Sequence, residues 1–125
     1  MANWVIKDFL DAQGRNVIRE WIDGLPDDDQ LTIDAWIRNL STLRPLKEPY
    51  TKMLDGRCDG LMELRIKGNR VQYRPLAFYG PGKGEITILL GAREIGDRFE
   101  PRDACDIAQS HRRIVVGDPT RTCEH

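Results

Sequence analysis

The stretch Gly60-Leu61-Met62-Glu63-Leu64-Arg65-Ile66-Lys67-Gly68-Asn69-Arg70-Val71-Gln72-Tyr73-Arg74 decides the fold. Apolar and polar residues alternate on both sides of Gly68-Asn69, a pair that tolerates positive φ, so the stretch reads as a β-hairpin. With the turn at Gly68-Asn69, Ile66 faces Val71, Arg65 faces Gln72, Leu64 faces Tyr73 and Glu63 faces Arg74. Side chains alternate along a strand. Glu63, Arg65, Gln72 and Arg74 therefore share one face of the sheet, and Leu64, Ile66, Val71 and Tyr73 share the other.

Working towards the N-terminus, Arg44 to Tyr50 contains Pro45 and Pro49 and reads as a connection, because proline cannot continue a helix. Before it, Asp27 to Leu43 carries an apolar stripe of Leu31, Ile33, Trp36, Leu40 and Leu43 behind an acidic first turn, which predicts a helix. A shorter helix precedes it, capped by Asn16, with Val17, Ile18, Trp21, Ile22 and Leu25 at helical spacing, and stopped by Pro26. Both tryptophans lie within apolar stripes and are expected in the core. Asn3 to Leu10 is a β-favouring run that predicts an opening strand.

Working towards the C-terminus, Val71 to Tyr79 and Glu85 to Gly91 continue an antiparallel meander across the loose Gly80 to Gly84 connection. Pro101 opens a final helix expected from Arg102 to about Val115, and residues 117–125 read as a frayed tail. The expectation is an α+β domain spanning 1–125: one strand, two helices, an antiparallel meander and a C-terminal helix.

Composition narrows the function. With 40% hydrophobic and 31% charged residues, the 125-residue chain is too apolar for disorder and lacks the long uncharged run of a membrane span. A net charge of −1 excludes a surface that is basic throughout, so any RNA site must be local. The carboxylates crowd into Asp27-Asp28-Asp29, which lets opposite signs separate onto different faces. Met1 to Lys7 has no basic leader before an extended apolar region, which makes the cytoplasm the expected location. Cys58, Cys105 and Cys123 are an odd number at wide spacing and are expected as reduced thiols. They form no ligand pattern with His111 or His125, so no metal or other cofactor is expected.

Two readings of the polar hairpin face stand side by side. It is either a solvated face with a cross-strand Glu63–Arg74 ion pair, or a cradle in which Arg65 and Arg74 hold a phosphodiester. RNA cleavage by its own 2′-hydroxyl needs a base, charge stabilisation at the phosphoryl oxygens, and an acid for the leaving oxygen. Arginine supplies the second and not the third, since it keeps its proton. Glu63 is the candidate base. Tyr73, Tyr79 and His111 are candidate acids, with Tyr73 brought round only if Pro75 makes the alternation slip.

Leu54-Asp55-Gly56, Gly60-Leu61-Met62-Glu63-Leu64-Arg65, Val71-Gln72-Tyr73-Arg74 and Ile86-Thr87-Ile88-Leu89-Leu90-Gly91 together resemble the RelE/HigB-type toxins in their phage-derived branch. The order of elements agrees, and the similarity runs over roughly residues 14 to 115. The resemblance implies an mRNA endoribonuclease (mRNA interferase), acting on free or ribosome-bound mRNA and held in check by a helix-turn-helix antitoxin. It places the arginines matching Arg65 and Arg74 on an RNA-facing sheet; with Glu63 and Tyr73 from the reading of the hairpin, these make up the expected catalytic set. Arg93, Arg98 and Lys52 join the two arginines as RNA-binding residues. Family members commonly follow the last strand with a Phe-x-Lys-Lys stretch, where this chain has Ala92-Arg93-Glu94-Ile95-Gly96-Asp97-Arg98-Phe99. The second hypothesis is accordingly a phage or prophage binding module on the same fold that has lost cleavage.

Overall fold

A computed structural model describes residues 3–125; Met1 and Ala2, the start of the stretch read for a leader, lie outside the described residues. Strand β1 (Val5–Phe9) leads into helix α1 (Val17–Asp23), where Asn16 Oδ1 accepts from Arg19 N at 2.8 Å and so caps the first turn. Helix α2 (Asp27–Leu40) begins directly after Pro26 with three aspartates in its first turn, where the helix dipole favours them. It ends three residues short of the expected Leu43.

The chain then builds β2 (Thr51–Met53), β3 (Met62–Leu64), β4 (Ile66–Lys67), β5 (Gln72–Tyr73), β6 (Leu76–Tyr79) and β7 (Glu85–Leu90). A short hairpin follows, β8 (Arg93–Ile95) and β9 (Arg98–Glu100), then α3 (Ala104–Gly117) and β10 (Thr122–Glu124). The architecture is α+β, as expected. Six strands order as β10-β1-β7-β6-β3-β2, and four as β4-β5-β8-β9. Within the meander the pairing is antiparallel, but β1 enters the sheet parallel to β7, with Val5 opposite Glu85.

Each face of the sheet has its own cover. α1 and α2 pack over Met62, Leu64, Ile66, Tyr73, Ile86 and Ile88, with Trp21 and Trp36 at the margin of that cluster. α3 covers the opposite side over Phe9, Leu61, Leu76, Phe78 and Leu89. Both tryptophans are partly buried and pack against the core rather than within it.

Three expectations are corrected. Residues 117–125 are not a frayed tail: β10 pairs with β1, Lys7 opposite Glu124, and His125 N donates to Ile6 O at 3.0 Å. Cys58 and Cys105 are not reduced thiols but a disulfide joining the turn at Gly56–Cys58 to α3, with Cα atoms 4.9 Å apart; only Cys123 is free. The hairpin register also differs by two, with Ile66 opposite Tyr73 and Lys67 opposite Gln72. The turn sits at Asn69-Arg70, closed by Gly68 N donating to Val71 O at 2.8 Å, and Arg70 takes the left-handed conformation at φ 63°.

Candidate nucleic-acid interface

The pairs on either side of the junction, Glu63 opposite Leu76 and Ile66 opposite Tyr73, share one register, although the ladder itself is interrupted between them. Leu64 N donates to Pro75 O at 2.9 Å in that interval, and continuing the register sets Arg65 across from Arg74, whose side chains converge on Glu63 Oε2. A slip of two residues changes partners but not faces. Glu63, Arg65, Gln72 and Arg74 accordingly share one side, and Leu64, Ile66 and Tyr73 point into the core beneath α1 and α2. Glu63 faces Leu76, one of the residues under α3, so the polar patch continues the α3 side of the sheet.

The patch is tightly interlocked. Arg65 Nη1 donates to Glu63 Oε2 at 2.7 Å. Arg74 Nη1 donates to its neighbour's carbonyl, Tyr73 O, at 2.9 Å, and Nη2 to Gln72 Oε1 at 3.2 Å. Its Nε lies 3.6 Å from Glu63 Oε2 and 3.6 Å from Glu94 Oε1, and has no hydrogen-bond partner. The side chain of Arg74 is 6% exposed against 33% for Arg65, so one guanidinium is recessed and the other partly open. Burial lowers the pKa of Arg74, and the like charge of Arg65 lowers it further, while Glu94 and Glu63 act against both.

Lys52 is paired with Glu63 across β2 and β3, which puts it on the strand that borders the patch. Arg93 and Arg98 are placed elsewhere. Alternation turns Arg93 away from the Glu94 side, where it binds Glu100 at 2.6 Å, and Arg98 faces Ile95 on that outer side of the hairpin. Glu94, which the sequence reading did not single out, is the hairpin residue that reaches Arg74. No local motif marks it, because its place depends on the pairing of Gln72 with Glu94.

The candidate acids are engaged away from the patch. Tyr73 is not brought round by Pro75. Instead its hydroxyl donates to Asp29 Oδ2 at 2.6 Å inside the core, where burial and that carboxylate push its pKa up to about 12. The bulge next to Pro75 falls at Leu76/Ala77, beyond Tyr73, and so cannot rotate it. His111 stacks on Phe9, with Nδ1 2.8 Å from Leu89 O, and Tyr79 packs against Trp4. A cavity of about 510 Å³ opens at a separate place, lined by Trp4, Arg19, Asp34, Ser41 and His125 among others.

Such a face sets a partly open guanidinium over a recessed one. Arg65 offers donors at its rim and Arg74 a fixed, desolvated positive charge behind it, where charge-assisted hydrogen bonds are stronger than in water. The model of a family described as "Phage derived protein Gp49-like (DUF891)" matches residues 20–109, which take in the second half of α1, all of α2, every strand of the patch and the start of α3. No curated protein and no solved structure matches the chain.

Proposed function

The chain belongs to the Gp49-like family of phage-derived proteins, and from that premise we propose that it is the toxin of a toxin–antitoxin pair, an mRNA endoribonuclease of RelE/HigB type. The observation that carries the reading is the convergence of Arg65 and Arg74 on Glu63 Oε2, at 2.7 and 3.6 Å, on one face of the sheet. In this reading the scissile phosphate lies against Arg65, with the recessed Arg74 stabilising the charge that grows on the phosphoryl oxygens. Lys52 holds an adjoining phosphate. Glu63 takes the proton of the attacking 2′-hydroxyl, the new 2′-oxygen–phosphorus bond replaces the 5′-oxygen–phosphorus bond, and the departing 5′-oxygen takes its proton from water. The protein acts in the cytoplasm, on free or ribosome-bound mRNA, and a helix-turn-helix antitoxin restrains it.

A second reading has an observation of its own. Tyr73, Tyr79 and His111 are all occupied elsewhere, and two carboxylates flank Arg74. That arrangement favours a module that binds RNA or a partner without cutting.

An RNA-cleavage assay with and without ribosomes separates the two. The toxin reading expects cleavage by the wild type, growth arrest when the chain is expressed alone, and loss of both in an Arg65→Ala, Arg74→Ala double variant. Binding without turnover at any protein concentration selects the second reading. Cleavage unaffected by the double variant overturns the roles given to the arginines.

A further inference from the structure

Arg74 combines two properties that seldom coexist in a settled ion pair: its side chain is only 6% exposed, and its Nε–H is unsatisfied. A buried donor without an acceptor is costly, so its persistence calls for an explanation. Two carboxylates stand near it, and they differ. Glu63 is itself buried, and its Oε2 is committed to Arg65 at 2.7 Å. Glu94 stands at the same 3.6 Å from Arg74 Nε as Glu63 does, but it is 38% exposed, sits on the short β8–β9 hairpin, and has no other ion pair described. It is close enough to neutralise the guanidinium and too far to bond it.

We infer that Glu94 is an acidic gate over Arg74, holding the place that a phosphate oxygen of single-stranded RNA takes when the carboxylate swings aside. The inference rests on the proposal that this face binds RNA, and adds what sets its affinity. While Glu94 is in place, the patch sets two carboxylates against two guanidiniums, so a polyanion meets little net charge. An incoming phosphate replaces Glu94 as the counter-charge of Arg74 and accepts its Nε–H. The carboxylate moves outward into water, where it is readily solvated. Weak anions and stray surfaces do not displace it, and the face stays selective for a backbone that also engages Arg65 and Lys52.

The test is binding of a fluorescein-labelled single-stranded oligoribonucleotide, followed by anisotropy. Glu94→Gln keeps the shape and removes the charge, and is expected to tighten binding roughly tenfold, the equivalent of one charge-assisted hydrogen bond. Glu100→Gln removes an equal charge from the outer side of the same hairpin and is expected to change affinity less than about twofold. In an Arg74→Lys background, which lacks the Nε donor and planar fork, the gain from Glu94→Gln should shrink to under about twofold. Affinity unchanged by Glu94→Gln, an equal gain from Glu100→Gln, or a full gain persisting with Arg74→Lys each overturns the gate. If Arg65→Ala and Arg74→Lys weaken binding while Glu94→Gln is neutral, the gate alone fails. If neither arginine variant alters binding, the RNA-binding reading fails with it. Thermal melts of each variant confirm folding, and Arg74→Gln replaces Arg74→Lys should the latter not fold.

Discussion

The imidazole of His125 is bonded through Nδ1 to the buried carboxylate of Asp8 at 2.8 Å, which ties the end of the chain to the middle of the first strand. On its other side, Nε2 lies 2.9 Å from Asp34 Oδ1 on α2, and Arg19 binds that aspartate from α1 at 2.9 Å. Asn16 Nδ2 completes the cluster at 2.9 Å from Asp8 Oδ2, so the residue that caps α1 also anchors it to the sheet.

This cluster sets a pH dependence. Burial disfavours the charged ring, but the hydrogen bond and charge of Asp8, with Asp34 behind them, outweigh it and raise the pKa of His125 above 6.5. A group whose pKa is raised on folding stabilises fully below its unfolded value, and that contribution is lost as pH rises through the folded value. The melting temperature should therefore fall as pH rises from about 6.5 through the raised value. His125→Gln should flatten the decline and lower stability in mild acid by about 1.5–3 kcal/mol. Asp34 acts in the opposite direction: burial opposes its ionisation but Arg19 outweighs it, so its share is present above 3.8 and lost as pH falls. A pH–melting profile identical in wild type and His125→Gln would refute the assignment.

Tyr73→Phe removes the hydroxyl that donates to Asp29 and leaves that buried carboxylate with only Asn69 N, at 3.0 Å, of the two bonds described. Urea denaturation should show a loss of about 1.5–3 kcal/mol. RNA binding and any cleavage should survive, since the ring lies on the core side of the sheet; loss of cleavage in a folded variant would return Tyr73 to the site.

Gly91 leaves room for the indole of Trp21. A Cβ added there would overlap the ring itself, so Gly91→Ala must displace Trp21 and the edge contact it makes with Tyr73. A cost of about 1–3 kcal/mol is expected, read as a lowered denaturation midpoint and a shift in tryptophan fluorescence.

The Cys58–Cys105 disulfide closes a separation of 47 residues between the Gly56–Cys58 turn and α3. Constraining a loop of that length stabilises by about 2–4 kcal/mol, so reductant should lower the melting temperature by several degrees. Mass spectrometry of the alkylated, unreduced protein should find label on Cys123 alone.

Where a local signal existed, it could be read. Asn16, Pro26 and the apolar stripes gave both early helices, and alternation alone assigned the two faces of the hairpin. The face assignment survived an error in register because parity is unchanged by a slip of two. The register itself was hidden by Arg70, a residue that rarely takes positive φ, beside the more obvious Gly68-Asn69. Arg93-Glu94-Ile95 and Thr122-Cys123-Glu124 carry no apolar period, and their strands exist because distant partners pair with them. The disulfide was obscured by a third cysteine, which made an odd count look like free thiols. Glu94 went unseen for the same reason as β8: its position is a property of the folded sheet.

The parallel pairing of β1 with β7 has a bearing on synthesis. As the chain leaves the ribosome, Val5–Phe9 and both early helices emerge with no strand to lie against until Glu85–Leu90 has followed, and the other flank of β1 waits for Thr122–Glu124. Pairings so remote in sequence form late. The first strand and the two early helices are thus made well before the strands that flank β1, and that strand stays open on one side until Thr122–Glu124 has been added.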